Sequence, residues 1–199
     1  LDPDVIEQTQ RELQRLAPER RARDLEGVAD LLRMLGPLTE AEIAERSVEE
    51  VAASVPTIVD ELVAARRALR VSFAGRDQAI AIEDAGRLRD ALGVALPVGI
   101  PVAFLEPQAD PLGDLVARYA RTHGPFTVSA VAERFGIGAA VARHTLQRLE
   151  SAGRVQSGFF LPDSREDEPE WCDAEVLRRL RMRSLAALRG SVEPVSPQA

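Results

Sequence analysis

The 25 basic side chains of this sequence are all arginine. Arginine is a planar fork of donors that matches phosphate oxygens and the acceptor edge of guanine, and two groups fall at helical spacing. Arg143, His144, Gln147 and Arg148 lie on the face of a predicted helix opposite Val141, Leu146 and Leu149. These types can meet phosphates and base edges. Arg178, Arg179, Arg181, Arg183 and Arg189 form a stripe opposite Val176, Leu177, Leu180 and Leu188, the densest phosphate-binding candidate in the chain. Each group also has a plainer reading. Arg143 and His144 can be ordinary solvated helix residues, and the stripe a solvated face paired with acidic neighbours.

The same inventory narrows the chemistry. Without lysine there is no phosphate loop ending in Lys-Ser/Thr and no Schiff base. His123, His144 and Cys172 are too few and too scattered for a zinc site, and no Gly-x-Ser-x-Gly elbow occurs. No catalytic residue, metal or cofactor is expected. A lone cysteine leaves no disulfide within the chain, which fits a cytoplasmic origin. No apolar run approaches the ~20 residues of a membrane span, so no membrane partner is expected. The formal net charge of −7 opposes tight binding to a polyanion.

Both arginine groups must be positioned by a repeated architecture. Gly36-Pro37-Leu38-Thr39 with Ala44-Glu45-Arg46 returns as Gly124-Pro125-Phe126-Thr127 with Ala132-Glu133-Arg134, each pair 88 positions apart. In the second copy Asp110 and Pro111 open a helix with Leu112, Leu115, Val116 and Tyr119 inward. Thr127 caps a short helix carrying Val131 and Phe135, Gly136-Ile137-Gly138 turns the chain, and a third helix buries Val141, Thr145, Leu146 and Leu149. Arg154-Val155 and Phe159-Phe160-Leu161 then read as two short strands, followed by an acidic loop from Pro162 to Pro169. Helix, helix-turn-helix and hairpin make a winged helix. In the first copy Val28, Leu31, Leu32 and Leu35 face inward, Thr39 and Glu42 form a capping box, and Ile58, Leu62, Val63 and Leu69 line the third helix. Ser47 to Pro56 adds a turn. Val71-Ser72-Phe73 and Ala79 to Ile82 make the hairpin about a Gly75-Arg76-Asp77 turn.

The expected fold is therefore mainly α with short β-hairpins (α+β): two tandem winged-helix domains, residues 25–92 and 110–190, joined by an apolar Pro-rich linker over 93–109. That linker is too apolar to be disordered and is expected as a strap between the copies. An amphipathic helix with Val5, Ile6, Thr9, Leu13 and Leu16 inward precedes them within residues 1–24, and 191–199 reads as a connector tail. Leu1 in place of Met and the Pro-rich end suggest an excised piece of a longer chain. His123 at a helix end is expected as a dipole partner, and Trp171 as the anchor of the wing to the last helix.

The runs Glu170 to Arg181 with Ser184 to Arg189, and Asp110 to Tyr119 leading into His123-Gly124-Pro125-Phe126-Thr127, resemble the long bacterial Lhr (large helicase-related) proteins. In that family an ATP-dependent DNA helicase core precedes an extension of winged-helix repeats, so the resemblance implies a piece of that extension. The helix-turn-helix pattern is also similar to winged-helix alkylpurine DNA glycosylases, although their catalytic glutamine motif has no match here. The expected partners are other domains of the same helicase chain, further copies in a homo-oligomer, and DNA as an auxiliary contact. A direct DNA-binding module and a divergent glycosylase remain the alternatives. Against DNA stand the acidic wing and, on the first copy's third helix, the mixed face of Thr57, Asp60, Glu61, Arg66 and Arg67.

Overall fold

Asp2 accepts hydrogen bonds from the backbone N–H groups of Asp4 and Val5, and Pro3 takes the first helical position, which starts α1 (Pro3–Leu13). The computed structural model describes residues 1–192, so most of the expected connector tail lies outside the described residues; Ser191 and Val192 belong to the last helix. After α1 come α2 (Leu25–Leu35), α3 (Glu40–Glu45), α4 (Glu49–Ala52) and α5 (Val55–Ala64), then β1 (Ala68–Phe73), β2 (Arg76–Ala81) and α6 (Ala85–Leu92). The remainder is α7 (Pro111–Arg121), α8 (Val128–Phe135), α9 (Ala139–Ser151), β3 (Val155–Gly158), β4 (Glu170–Asp173) and α10 (Ala174–Val192). The product is a mostly helical α+β chain with two small antiparallel sheets, consistent with a winged-helix fold.

The repeated residues occupy equivalent places. Leu38 bridges Ala79 and Phe126 bridges Trp171, each a single-residue antiparallel bridge to its hairpin directly after the Gly-Pro pair. Thr39 and Glu42 form the capping box of α3, and Thr127 accepts from Ala130 at the start of α8. α4 is the extra turn that Ser47 to Pro56 foretold.

Several expectations shift. The buried residues of α5 are Val55, Val59 and Leu62; Ile58 and Val63 are half-buried, and Leu69 belongs to β1. Val141 is 48% exposed while Ala142 takes the inward position on α9, because the burial stripe sits one residue further along the helix. The first hairpin turns at Ala74-Gly75, both at positive φ, a two-residue connection whose twist suits paired strands. Arg76 and Asp77 therefore pair within β2. In the second hairpin the partner of β3 is Glu170–Asp173. Phe159, Phe160 and Leu161 lie in the long connection, where Ser164 and Glu170 bind their backbone.

The first hairpin buries apolar side chains on both of its faces. Ala68, Ala79 and Ala81 face the core of α2, α3 and α5. Leu69, Val71, Ile80 and Ile82 join a second core with α6, Val94, α7, α8, α9 and Trp171. Alternation along a strand sends small side chains one way and large ones the other, so one hairpin closes two cores. Within 93–109, Leu96, Ile100, Phe104 and Leu105 pack on the second core, whereas Val98 and Val102 are exposed. α1 crosses back to the far end of the chain. Its Ile6 packs with Cys172, Val176, Leu177 and Leu180, and its Gln10 accepts from the Gly124 N–H.

Candidate nucleic-acid interface

Gly138 precedes α9, and Ala142, Thr145, Leu146 and Leu149 hold its inner face. Arg143, His144 and Gln147 therefore point to solvent. Arg148 does not stand beside them as a free cation: its two Nη atoms hold Asp110 at 2.8 and 3.2 Å. Asp110 also caps α7 by accepting from Gly113, and the Arg148 guanidinium keeps its carboxyl below the usual range. The pair ties two helices together. Of the four expected residues, Arg148 is therefore the one with a carboxylate partner among the described residues.

The surfaces beside α9 are unfavourable to phosphate. The connection between β3 and β4 carries Asp163, Glu166, Asp167 and Glu168, with Arg165 facing Asp167 at 3.4 Å and Glu168 accepting from Ser129 at 3.1 Å. The corresponding hairpin of the first half is not free at all. An added Cβ on Gly136 would meet Ala74 Cα at 3.0 Å, and Arg76 donates to the Arg134 carbonyl at 3.1 Å. Its tip is seated on the turn between α8 and α9. On α5 and its surroundings, Arg70 holds Glu40 at 3.0 Å as well as Asp60, and Arg67 holds Glu26 in a two-pronged pair.

The α10 stripe is divided rather than continuous. Arg178 pairs with Glu175 at 2.6 Å. Arg183 turns onto α1, donating to Thr9 at 3.1 Å and Glu12 at 2.9 Å. Arg179, Arg181 and Arg189 are exposed. The apolar seam beneath them stops at Leu180; Met182, Leu185 and Leu188 are exposed at 63%, 54% and 62%. Trp171 is buried in the core of α7 to α9, and its neighbour Cys172 is the one that meets α10.

Two features escaped the sequence because they join distant segments. One is a cavity of about 370 Å³ lined by residues of α1, α3, the first hairpin, α7 and α8, among them Glu42, Arg46, Tyr119, His123 and Arg134. Arg134 bridges Glu42 at 2.7 Å, and the repeat-equivalent Arg46 donates to Gln14 at 2.9 Å. Burial pushes His123 down to about 4 and Tyr119 up to about 12, so neither exchanges a proton readily near neutral pH. His123 is thus half-buried and uncharged near neutral pH, and it meets the C-terminal end of α7 through a hydrogen bond to the Tyr119 carbonyl rather than through a positive charge. Among the described residues no group of three or more His, Cys, Asp or Glu could hold a metal, and no helix is long and apolar enough to cross a membrane.

The other is a recess of about 450 Å³ lined by Arg15, Arg20, Arg33, Arg118, Arg121 and Arg179. A neighbouring recess of about 340 Å³ shares Arg33, Arg118 and Arg121 and adds Arg87 and Arg154. The legible signal was modest: Arg33, Arg118 and Arg121 stand in the last turns of their helices, where cations are favoured. Nothing in the sequence showed that these helix ends meet.

A family model described as large helicase-related protein, winged-helix domain, matches residues 1–107. The chain is 55% identical over 199 residues to the "Lhr helicase/ probable uracil glycosylase" of Mycolicibacterium smegmatis. It is 42% identical over 199 residues to the "Lhr helicase/uracil glycosylase" of Escherichia coli. These matches cover 100% and 98% of this chain but 13% and 12% of those proteins. The chain thus spans about an eighth of the length of the relatives it matches.

Proposed function

The chain belongs to the winged-helix domain family of the large helicase-related proteins, and we propose that it works there as a non-catalytic tandem winged-helix module. Its halves are residues 25–92 and 110–190, with 93–109 as an apolar Pro-rich link and 1–24 as a clasp. Its task is positional: it fixes the orientation of neighbouring domains of the same cytoplasmic helicase chain, offers surface for homo-oligomer assembly, and gives DNA an auxiliary contact. The carrying observation is the first hairpin, whose two faces are buried in two different cores. A wing held in this way supports a fixed angle between the halves and is withdrawn from a duplex backbone. The exposed Leu185 and Leu188 of α10 supply an apolar surface for assembly.

The test is a pair of measurements on this protein. Light scattering across concentration, with Leu185→Asp/Leu188→Asp as the comparison, is expected to show self-association that the variant loses. Titration with short duplex DNA is expected to give no better than micromolar affinity at ~150 mM salt, since nonspecific affinity comes mostly from phosphate neutralisation. Nanomolar affinity would instead favour the direct DNA-binding reading, for which the free Arg143, His144 and Gln147 of α9 are the supporting feature.

A further inference from the structure

We propose that the arginine-lined recess between the ends of α2 and α7 and the start of α10 binds the phosphodiester backbone of nucleic acid without reading its bases. This rests on the auxiliary DNA contact above and moves that contact away from α9, to a site formed where the two halves and α1 meet.

The charge in the recess is unbalanced. Arg33 pairs with Asp30, Arg118 with Asp84 at 2.9 Å, and Arg87 with Asp84 at 2.8 Å and Asp114 at 3.4 Å. Arg20, Arg121, Arg154 and Arg179 have no carboxylate at ion-pair distance among the described residues. The acids on the walls are already engaged, Glu12 by Arg183 and Asp114 by Arg87. Asp173, whose charge favours the Arg121 guanidinium, is occupied in capping α10 through the N–H groups of Glu175 and Val176. Burial and the guanidiniums of Arg154 and Arg118 together disfavour the charge on Arg121. In addition, Arg118 Nη2 is buried without a hydrogen-bond partner among the described residues. A buried donor left unmade is costly, and a like-charged cluster is relieved by an anion.

The form of the site selects the anion. The two recesses share Arg33, Arg118 and Arg121 in their linings, and guanidiniums spread over both suit a chain of repeated charges better than one carboxylate. Apart from arginine, the larger recess is lined by Glu12, Leu13, Met34, Leu35 and Thr122. No aromatic platform or side-chain amide is present there to stack on or read a base, and guanidinium forks match phosphate oxygens in two-pronged geometry.

The experiment is fluorescence anisotropy with short labelled single-stranded and duplex DNA of two unrelated sequences. It compares the parent with Arg121→Gln/Arg154→Gln in the recess and Arg143→Gln/His144→Gln on α9. The recess variant is expected to weaken binding to every sequence by about tenfold at ~50 mM salt and to reduce the salt slope by about 1 to 2; the α9 variant is expected to match the parent. Thermal melting checks both folds, and Arg20→Gln/Arg179→Gln substitutes if the recess variant melts early. A parent that binds DNA beside a recess variant that binds equally well would overturn the site and leave the auxiliary contact elsewhere. A parent that binds no DNA would overturn both. Displacement by polyglutamate at equal charge would mark the recess as a dock for an acidic protein segment and overturn the phosphodiester assignment.

Discussion

His123 stacks on Tyr119 with ring centroids 3.7 Å apart, and its Nδ1–H donates to the Tyr119 carbonyl at 2.7 Å. Folding holds its pKa at about 4, below the ~6.5 of the unfolded chain. Its depressed value means that the unfolded state takes up the proton first, so the stability is fully present above ~6.5 and is lost as pH falls toward ~4. The expected loss is about 2 kcal/mol by pH ~5, before ordinary carboxylates titrate. His123→Phe, which keeps the stack, should unfold with nearly equal midpoints at pH 7 and pH 5, whereas the parent's midpoint should drop; urea melts at both pH values decide it. Gly136 makes a second test at this scale. Its φ is +64° and its missing Cβ leaves room for Ala74, so Gly136→Ala should cost about 2 kcal/mol by combining left-handed strain with a backbone clash. A cost no larger than that of an ordinary surface substitution would mean that the hairpin tip is not seated there.

At the scale of elements, the repeat supplies its own control. α5 and α9 end alike: Arg67 N–H donates to the Leu62 carbonyl and Arg154 N–H to that of Leu149. The residue before each stands at positive φ, Arg66 at 56° and Gly153 at 75°. Only glycine takes that conformation freely. Arg66→Gly is expected to stabilise by about 1 kcal/mol and Gly153→Ala to destabilise by a similar amount, as read from thermal melting of the two variants. Elements of this kind were legible because caps and turns are local. The capping box, the Thr127 cap, the extra turn at α4 and the breaks at Gly-Pro all stand where the residue types place them. In the second hairpin Phe159-Phe160-Leu161 has strand-like composition yet lies in the connection after β3. Its partner strand is chosen by burial of Trp171 and Cys172, which lies beyond local pattern.

The whole molecule is held across its repeat boundary. The first hairpin joins two cores, Arg134 bridges Glu42 with both side chains mostly buried, and Arg118 bridges Asp84. A single calorimetric unfolding transition is expected, with its calorimetric enthalpy equal to the van't Hoff value; two separated transitions would show that the halves are independent. Arg134→Ala leaves Glu42 without its main partner and should cost about 3 kcal/mol. If the halves are coupled as the shared core implies, the variant should lower one common melting point rather than divide it.

The sequence by itself determined the repeat, the helical class, the caps and turns, and the family resemblance, because each is written in neighbouring residues or in fixed spacings. It also marked arginine as the residue of interest. Which arginines are available was decided only by tertiary structure. Arg148 is held by Asp110 and Arg183 by α1, while Arg33, Arg118, Arg121, Arg154 and Arg179, drawn from separate segments of the chain, surround adjoining recesses. A charge acts through its distance to other charges and through its access to water. Both are set when helix ends from separate parts of the chain are brought together, and neither is encoded in the spacing along any one of them.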